Sequence, residues 1–123
     1  SQYKTRQKIN EFYLLNNSIS SNEFLNKRGW SKVEIKESFK HEFSKAEGRL
    51  SNAAFELGGA ANLDLLVSVT SALMPKHVLE TGVAHGWSSF AILTVTKDAI
   101  LTSIDLPYLA YNNEKEVGLS VKP

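Results

Sequence analysis

The chain has 123 residues, a formal net charge of +1 and a hydrophobic fraction of 42%, which fits one domain at most, or a piece of one. The small net charge gives no basic stripe for nucleic acid or a membrane surface. The absence of cysteine excludes disulfides, thiolate metal sites and cysteine nucleophiles. No apolar run approaches the roughly 20 residues that span a bilayer. We therefore expect a cytoplasmic protein with neither a nucleic-acid nor a membrane partner.

The pattern up to residue 74 predicts helices only. Residues 1–17 mix charged and apolar side chains, as a short amphipathic helix does. Two later segments carry a serine followed three residues on by glutamate, the spacing of a capping box that opens a helix. Gly29 separates these two helices, and the capping pairs are Ser20 with Glu23 and Ser31 with Glu34.

The second capping pair precedes large apolar residues at every fourth position, which predicts one helix of about four turns with a buried stripe. That stripe consists of Ile35, Phe39 and Phe43. Arg49 to Glu56 is predicted to form a further short helix. Asn62 is a good N-cap for the helix after it, and Pro75 ends that helix because proline lacks an amide donor.

Lys76 and His77 lead from Pro75 into the first strand, which is predicted at Val78 and Leu79 and is followed by Glu80. Gly82 and Gly86 then bracket a short loop that precedes a mostly apolar helix. Glycines in such a loop allow a ligand to approach the backbone, because no Cβ is in the way. The unpaired amides of the following helix N-terminus point toward the same place. This strand, turn and helix are typical of a nucleotide-like binding site.

A second strand is predicted at Ile100 to Ile104, and Asp105 follows it, 23 residues after Gly82. That distance accommodates one helix and one return strand. Parallel neighbours bring their carboxyl ends to the same edge of a sheet, so Asp105 is expected beside the glycine turn. A carboxylate in that position accepts hydrogen bonds from both hydroxyls of a ribose.

Residues 80–88, in the order Glu-x-Gly-x-x-x-Gly-Trp-Ser, resemble the first motif of class I S-adenosylmethionine-dependent methyltransferases. The resemblance is to the small-molecule O-methyltransferase branch in particular, where an aromatic residue and a serine commonly follow the last glycine. Ser103-Ile104-Asp105 is similar to the second motif. The specific part covers residues 77–106, about a quarter of the chain.

The resemblance implies an α/β fold in which N-terminal helices precede the first β-α-β unit of a Rossmann-like methyltransferase domain. It implies that S-adenosylmethionine is the cofactor and that a small-molecule oxygen or nitrogen is the methyl acceptor. The cofactor-binding residues that it implies are Glu80, Thr81, Gly82, Val83, Ala84, Gly86, Ser88, Asp105 and Leu106.

The implied roles differ along the motif. The Gly82 turn would lie against the methionine part of the cofactor, with Glu80 directed toward its amino group and Ser88 toward its carboxylate. Asp105 would bind the ribose hydroxyls, and Leu106 would pack on the adenine. Ala84 departs from the pattern, since many relatives carry glycine there, but one added methyl group is expected to be tolerated.

More ordinary roles remain open for several of these residues. Glu80 would equally pair with Lys76 or with a helix N-terminus, and Ser88 would equally serve as an N-cap. His85 is expected to line the cofactor edge rather than to act in catalysis, and Trp87 is expected to pack. The three histidines lack metal-ligand spacing, so no metal site is predicted, and the catalytic base is unknown.

Two other functions compete with methyl transfer. A nicotinamide-dependent oxidoreductase would carry Gly-x-Gly-x-x-Gly, whereas this chain has Ala84 in place of the second glycine and one residue fewer before the last. A non-catalytic helical interaction module, or a cofactor-binding remnant, would account for the long helical lead.

The sequence divides into a helical region over 1–74 and the start of a Rossmann-like domain over 75–123. A class I methyltransferase has about seven strands, and only two are found, so we expect a fragment that is inactive alone. A two-stranded parallel sheet leaves both edges unpaired. If these residues are the whole protein, we therefore expect association with another copy or with a partner that covers the sheet. The polar tail, Tyr108 to Pro123, is undecided, with a short helix at Glu114 to Leu119 as one alternative.

Overall fold

The computed structural model describes residues 4, 5, 7, 8, 14, 17–51, 53, 62–105, 117, 118, 120 and 121. Helices in that part of the chain are α1 (Ser21–Arg28), α2 (Ile35–Ser38), α3 (Lys40–Leu50), α4 (Leu63–Leu73) and α5 (Trp87–Val95). The strands are β1 (His77–Thr81) and β2 (Ile100–Ile104), which pair in parallel. The mixture of helices with a parallel sheet is compatible with the α/β class.

Helix α1 begins and ends where the sequence predicts. The Ser20 hydroxyl accepts a hydrogen bond from the backbone N–H of Glu23 at 3.1 Å, which satisfies one unpaired donor of the first turn. Gly29 ends the helix in the left-handed conformation, with φ +68°, where glycine has no Cβ penalty. Before this helix, every described residue from 4 to 17 is helical, in agreement with the predicted N-terminal helix.

The predicted four-turn helix after Ser31 is wrong in two respects. Its chain is broken at Phe39, whose backbone is non-helical (φ −131°, ψ 44°), so α2 and α3 are separate helices. Ser31 is not the cap, because α2 starts at Ile35. The backbone N–H of Ile35 instead donates to the carboxylate of Asp64 on α4 at 2.9 Å. The cap is therefore supplied by a residue distant in sequence.

The break between α2 and α3 nevertheless keeps the predicted apolar stripe. Ile35 and Phe43 are buried, and Phe39 packs partly buried against the same core. Helix α3 continues through Gly48 to Leu50, so the first two residues of the helix expected at Arg49 to Glu56 belong to α3. Ser51 lies in a turn and Ala53 is not helical, so that predicted helix is wrong at these positions, and its other four residues lie outside the described residues.

Helix α4 confirms the predicted start and stop. The Asn62 side chain accepts from the backbone N–H of Leu65 at 2.9 Å, and the helix ends at Leu73, two residues before Pro75. Val67 is fully buried on its inner face. This face packs on α5. The main apolar core joins these two helices with α2 and α3, and its members are Ile35, Phe43, Ala46, Val67, Phe90 and Ala91.

The sheet has a constant register that pairs each residue of β1 with the residue 23 positions later, from His77 with Ile100 to Thr81 with Ile104. Its two faces differ. Glu80 is buried on the inner face, whereas Leu79, Ile100 and Ile104 are 67%, 58% and 56% exposed. The prediction of a buried first strand is therefore wrong for Leu79, because side chains alternate between faces and the outer face is open in the described structure.

After β2, the described residues of the tail form turns. Val117 and Gly118 lie in a turn rather than in the helix suggested for Glu114 to Leu119, and the rest of that segment lies outside the described residues. None of the helices in the described part of the chain is long and apolar enough to cross a membrane.

Candidate functional site

Asp105 lies beside the glycine turn, as the strand pattern predicts. At the carboxyl edge of the sheet, the backbone N–H of Gly82 donates to the Ile104 carbonyl at 2.8 Å. The Asp105 carboxylate follows directly, and its Oδ2 accepts from the backbone N–H groups of Val83 at 2.7 Å and Ala84 at 3.0 Å. Two charge-assisted hydrogen bonds therefore fix the carboxylate against the turn.

The turn itself is left-handed at three of its five positions. Gly82 has φ +78°, Ala84 φ +47° and Gly86 φ +86°, and the N–H of Gly86 closes the loop on the Val83 carbonyl at 2.7 Å. A Cβ built on Gly82 would meet no atom within 4 Å, so the turn faces open space there. Thr81, at the end of β1, is also exposed. This side of the turn is accessible to a ligand.

Glu80 is 7% exposed and is surrounded by serine hydroxyls. Ser88 donates to its Oε1, while Ser89 at 2.5 Å and Ser103 at 2.7 Å donate to its Oε2. Two of these serines belong to the first turn of α5 and the third to β2. A buried carboxylate is tolerated only when its oxygens are hydrogen-bonded, so this cluster joins β1, β2 and α5.

The roles predicted for Glu80 and Ser88 are affected by this cluster. Each of these two side chains has the other as a hydrogen-bond partner, and no pairing of Glu80 with Lys76 is formed. The alternative that Glu80 meets a helix N-terminus agrees with the structure. Ser88 as an N-cap is wrong, because Gly86 occupies the N-cap position of α5 and makes no side-chain cap. Contacts of either residue with a cofactor stay predictions.

The far side of the turn contacts the tail of the same chain. The backbone N–H of Gly118 donates to the Ala84 carbonyl at 2.7 Å, and that of Ser120 donates to the His85 carbonyl at 2.8 Å. A Cβ on Gly86 would come within 3.0 Å of Gly118 Cα and of Ser120 Oγ. Glycine is thus required at position 86 because the tail comes close to its Cα. The sequence interpretation had instead explained this glycine by the close approach of a ligand.

His85 and Trp87, the two large residues around Gly86, both face inward. His85 is 6% exposed, and its backbone carbonyl accepts from the Ser120 N–H of the tail. The expectation that His85 lines the cofactor edge stays a prediction. Trp87 packs as expected, stacked on Phe43 with ring centroids 5.1 Å apart and edge-on to Phe90 at 5.9 Å. These rings attach the start of α5 to the helical region.

Several contributors to the site were not recognised from the sequence. They are Ser89 and Ser103 around Glu80, and Gly118 and Ser120 behind the turn. Ser103 carries a usable signal, because the 23-residue offset between the strands places it opposite Glu80. The tail residues carry none, since no local pattern links them to the turn. Leu106, predicted to pack on adenine, lies outside the described residues.

No group of three or more histidine, aspartate or glutamate side chains among the described residues is arranged to hold a metal ion.

Comparison of the chain with protein-family models, with curated proteins and with solved structures found no match. The function must accordingly be argued from the geometry of the turn and its neighbours.

Proposed function

We propose that residues 77–105 form the S-adenosylmethionine-binding β-α-β unit of a Rossmann-like class I methyltransferase, acting on an oxygen or nitrogen of a small molecule. The observation that carries the proposal is the position of Asp105, whose carboxylate is fixed on the amides of Val83 and Ala84 at the carboxyl edge of two parallel strands. Ligands of open α/β sheets bind at this edge.

The described residues fit such a cofactor on the open side of the turn. Gly82 has the positive φ that only glycine adopts without cost, and nothing of the described chain occupies the space next to its Cα. Asp105 stands at the end of the neighbouring strand. Its Oδ2 accepts hydrogen bonds from the two turn amides, which hold the carboxylate at this edge of the sheet.

Each group of the chain has a distinct part in the proposed site. Asp105 would accept hydrogen bonds from the ribose hydroxyls, and the amides that hold it keep its carboxylate in one orientation before the ligand arrives. The bare backbone of Gly82 would lie along the amino-acid arm of the ligand. Glu80 and its serines would hold β1, β2 and α5 together, so that the turn keeps its shape.

The cofactor, when bound, supplies a methyl group on a positively charged sulfur. The chain contributes binding and orientation, which is the main means of accelerating a displacement between two positioned reactants. A carboxylate near the cofactor also favours its positive charge over a neutral analogue. The acceptor and the group that removes its proton are not assigned to any described residue.

Calorimetric titration with S-adenosylhomocysteine tests this proposal. We expect one binding site, and we expect Asp105→Ala to weaken the affinity by about 1.5–3 kcal/mol, because hydrogen bonds to a charged group are lost. Asp105→Asn keeps an oxygen that can accept from the turn amides, so it separates loss of charge from collapse of the turn. Asp98→Ala, an exposed aspartate in the turn after α5, is the matched control and should bind normally.

Two outcomes would contradict the proposal. One is the absence of binding at millimolar ligand by a protein that is folded, as judged from its cooperative thermal unfolding. The other is enhanced NADH fluorescence on mixing, with no response to S-adenosylhomocysteine, which would favour the oxidoreductase alternative.

A second candidate function, a non-catalytic interaction module, is favoured by one observation. The outer face of the sheet presents Leu79, Ile100 and Ile104 with more than half of each side chain exposed. Parallel sheets are normally covered on both faces. Light scattering distinguishes the candidates together with the titration, because an interaction module associates and does not bind the nucleoside.

A further inference from the structure

A groove of about 580 Å³ lies between the helical region and the start of α5. Its apolar side chains come from four helices and are Ile35, Phe43, Leu63 and Trp87. Pockets for small molecules occupy roughly 300–1,000 Å³ and are lined mainly by apolar and aromatic groups. The volume therefore suits a small organic molecule, although six of the ten lining residues are charged or polar.

The polar rim of this groove is acidic. Lys36 is its one basic residue among the described lining residues, and the acids are Glu34, Glu37, Glu47 and Asp64. Asp64 is occupied by the Ile35 amide, and Glu34 pairs with Lys32 at 3.1 Å. Glu37 and Glu47 are exposed and form no ion pair within the described part of the chain. The rim thus favours a positively charged ligand.

The aromatic side chains of the groove already attract a cation. The Lys36 ammonium lies 5.1 Å from the centroid of the Phe43 ring. The same ring is stacked with Trp87, with ring centroids 5.1 Å apart. A cation within about 6 Å of an aromatic centroid is stabilised by the negative face of the ring. The chain therefore places its own ammonium where a ligand cation would be stabilised.

We propose that this groove binds a small organic cation, an ammonium attached to an aromatic or other apolar body. The body would contact Phe43 and Trp87, and the acidic rim that includes Glu37 and Glu47 would attract the ammonium. A basic amphipathic helix is the less suitable occupant, because it would present apolar anchors over several turns and this groove holds a ligand of limited size. The groove shares no residue with the turn at 82–86 or with Asp105.

The test uses phenethylammonium as the probe, with 2-phenylethanol as a neutral molecule of similar size and phenylacetate as an anion. Binding is followed by two-dimensional ¹⁵N–¹H NMR, in which each tryptophan gives its own indole resonance. We expect a Kd on the order of 1 mM for the ammonium, since small ligands gain limited energy per atom. The alcohol should bind about tenfold more weakly, and the carboxylate should not bind.

The two tryptophans provide an internal control. The indole resonance of Trp87 should shift with phenethylammonium, whereas that of Trp30 should not, because Trp30 packs with Phe24 and Arg28 away from the groove. Equal affinity for the ammonium and the alcohol, or equal shifts of both indoles, would overturn the proposal. The proposal would also be overturned if a basic amphipathic peptide bound the same residues with much higher affinity than any of the small probes.

Variants locate the charge preference. The double variant Glu37→Gln, Glu47→Gln should weaken phenethylammonium binding about fivefold and leave 2-phenylethanol unchanged, because exposed ion pairs contribute up to about 1 kcal/mol each. Glu42→Gln, on α3 but outside the groove lining, is the control and should have no effect. Lys36→Gln should strengthen binding of the ammonium several-fold, since it removes the competing cation. An unchanged affinity in both groove variants would contradict the proposal.

Failure of this binding does not affect the cofactor proposal, and the reverse also holds. S-Adenosylhomocysteine titration reports on Asp105 and the turn, whereas the phenethylammonium titration reports on the groove. The two ligands should shift separate sets of amide resonances.

Discussion

Ser103 donates a hydrogen bond of 2.7 Å to the carboxylate of Glu80, the residue directly opposite it in the parallel sheet. Ser88 and Ser89 approach the same carboxylate from the first turn of α5. The carboxylate is buried, so its hydrogen bonds replace the water that it loses on folding. This arrangement makes the stability of the β-α-β unit depend on one buried side chain.

Replacement of Glu80 by glutamine is expected to destabilise the protein by about 2–3 kcal/mol, measured by urea unfolding. The amide has one acceptor oxygen where the carboxylate has two, and its NH₂ group would face the serine hydroxyls. The exposed substitution Glu42→Gln changes the net charge equally and should cost less than about 0.5 kcal/mol. Equal effects of the two substitutions would contradict the structural role of the cluster.

Ala84→Gly should stabilise the protein by about 1 kcal/mol, because Ala84 is held in the left-handed region, where a Cβ is unfavourable. Thermal or urea unfolding measures the change. The opposite sign is expected for Ala72→Gly, which lies on the exposed side of α4 and should lose about 1 kcal/mol of helix propensity. A destabilising Ala84→Gly would show that residue 84 does not adopt φ +47°.

Alanine substitutions at the two ends of the turn should differ. Gly82→Ala meets open space and should cost only the backbone strain, about 1 kcal/mol. Gly86→Ala has the same strain and also brings its Cβ to 3.0 Å from Gly118 and Ser120, so we expect about 2–3 kcal/mol.

Ligand binding should be affected more by the Gly82 substitution, although the Gly86 substitution costs more stability. Gly82→Ala should weaken S-adenosylhomocysteine binding, because its Cβ enters the space proposed for the ligand. Gly86→Ala should alter the amide resonances of residues 117–121 more than Gly82→Ala does. A Gly82→Ala protein with normal affinity would argue against a ligand on that side of the turn.

Asp64→Ala should destabilise the protein by about 1–2 kcal/mol, because it removes the acceptor for the buried start of α2. Hydrogen exchange should speed up at the Ile35 amide in this variant. Asp98 accepts no such backbone hydrogen bond in the described structure, so Asp98→Ala is the matched control. Unchanged exchange at Ile35 would contradict the cap.

Local signals predicted the elements that depend on local chemistry. The caps at Ser20 and Asn62, the stop before Pro75 and the bounds of β2 follow from residues within a turn of each boundary. The approach of Asp105 to the turn also followed from sequence, because the parallel register carries the same 23-residue offset as the spacing from Gly82.

Features that depend on distant partners were missed. Ser31 has the capping pattern, but Asp64 on another helix caps α2 instead, and tertiary partners override local propensity. The Ser120 N–H of the tail donates to the His85 carbonyl, a contact that no local pattern connects to the turn. The exposure of Leu79 depends on what covers the sheet, which is likewise not a property of the strand itself.

The most direct test of the account is a ¹⁵N–¹H NMR titration of the unmodified protein with S-adenosylhomocysteine. The amides of Val83 and Ala84, which donate to Asp105, should shift in a saturable manner together with that of Gly82, while amides of the distant helix α1 stay unchanged. A folded protein whose Val83 and Ala84 resonances do not move at millimolar ligand would contradict a nucleoside site at this turn.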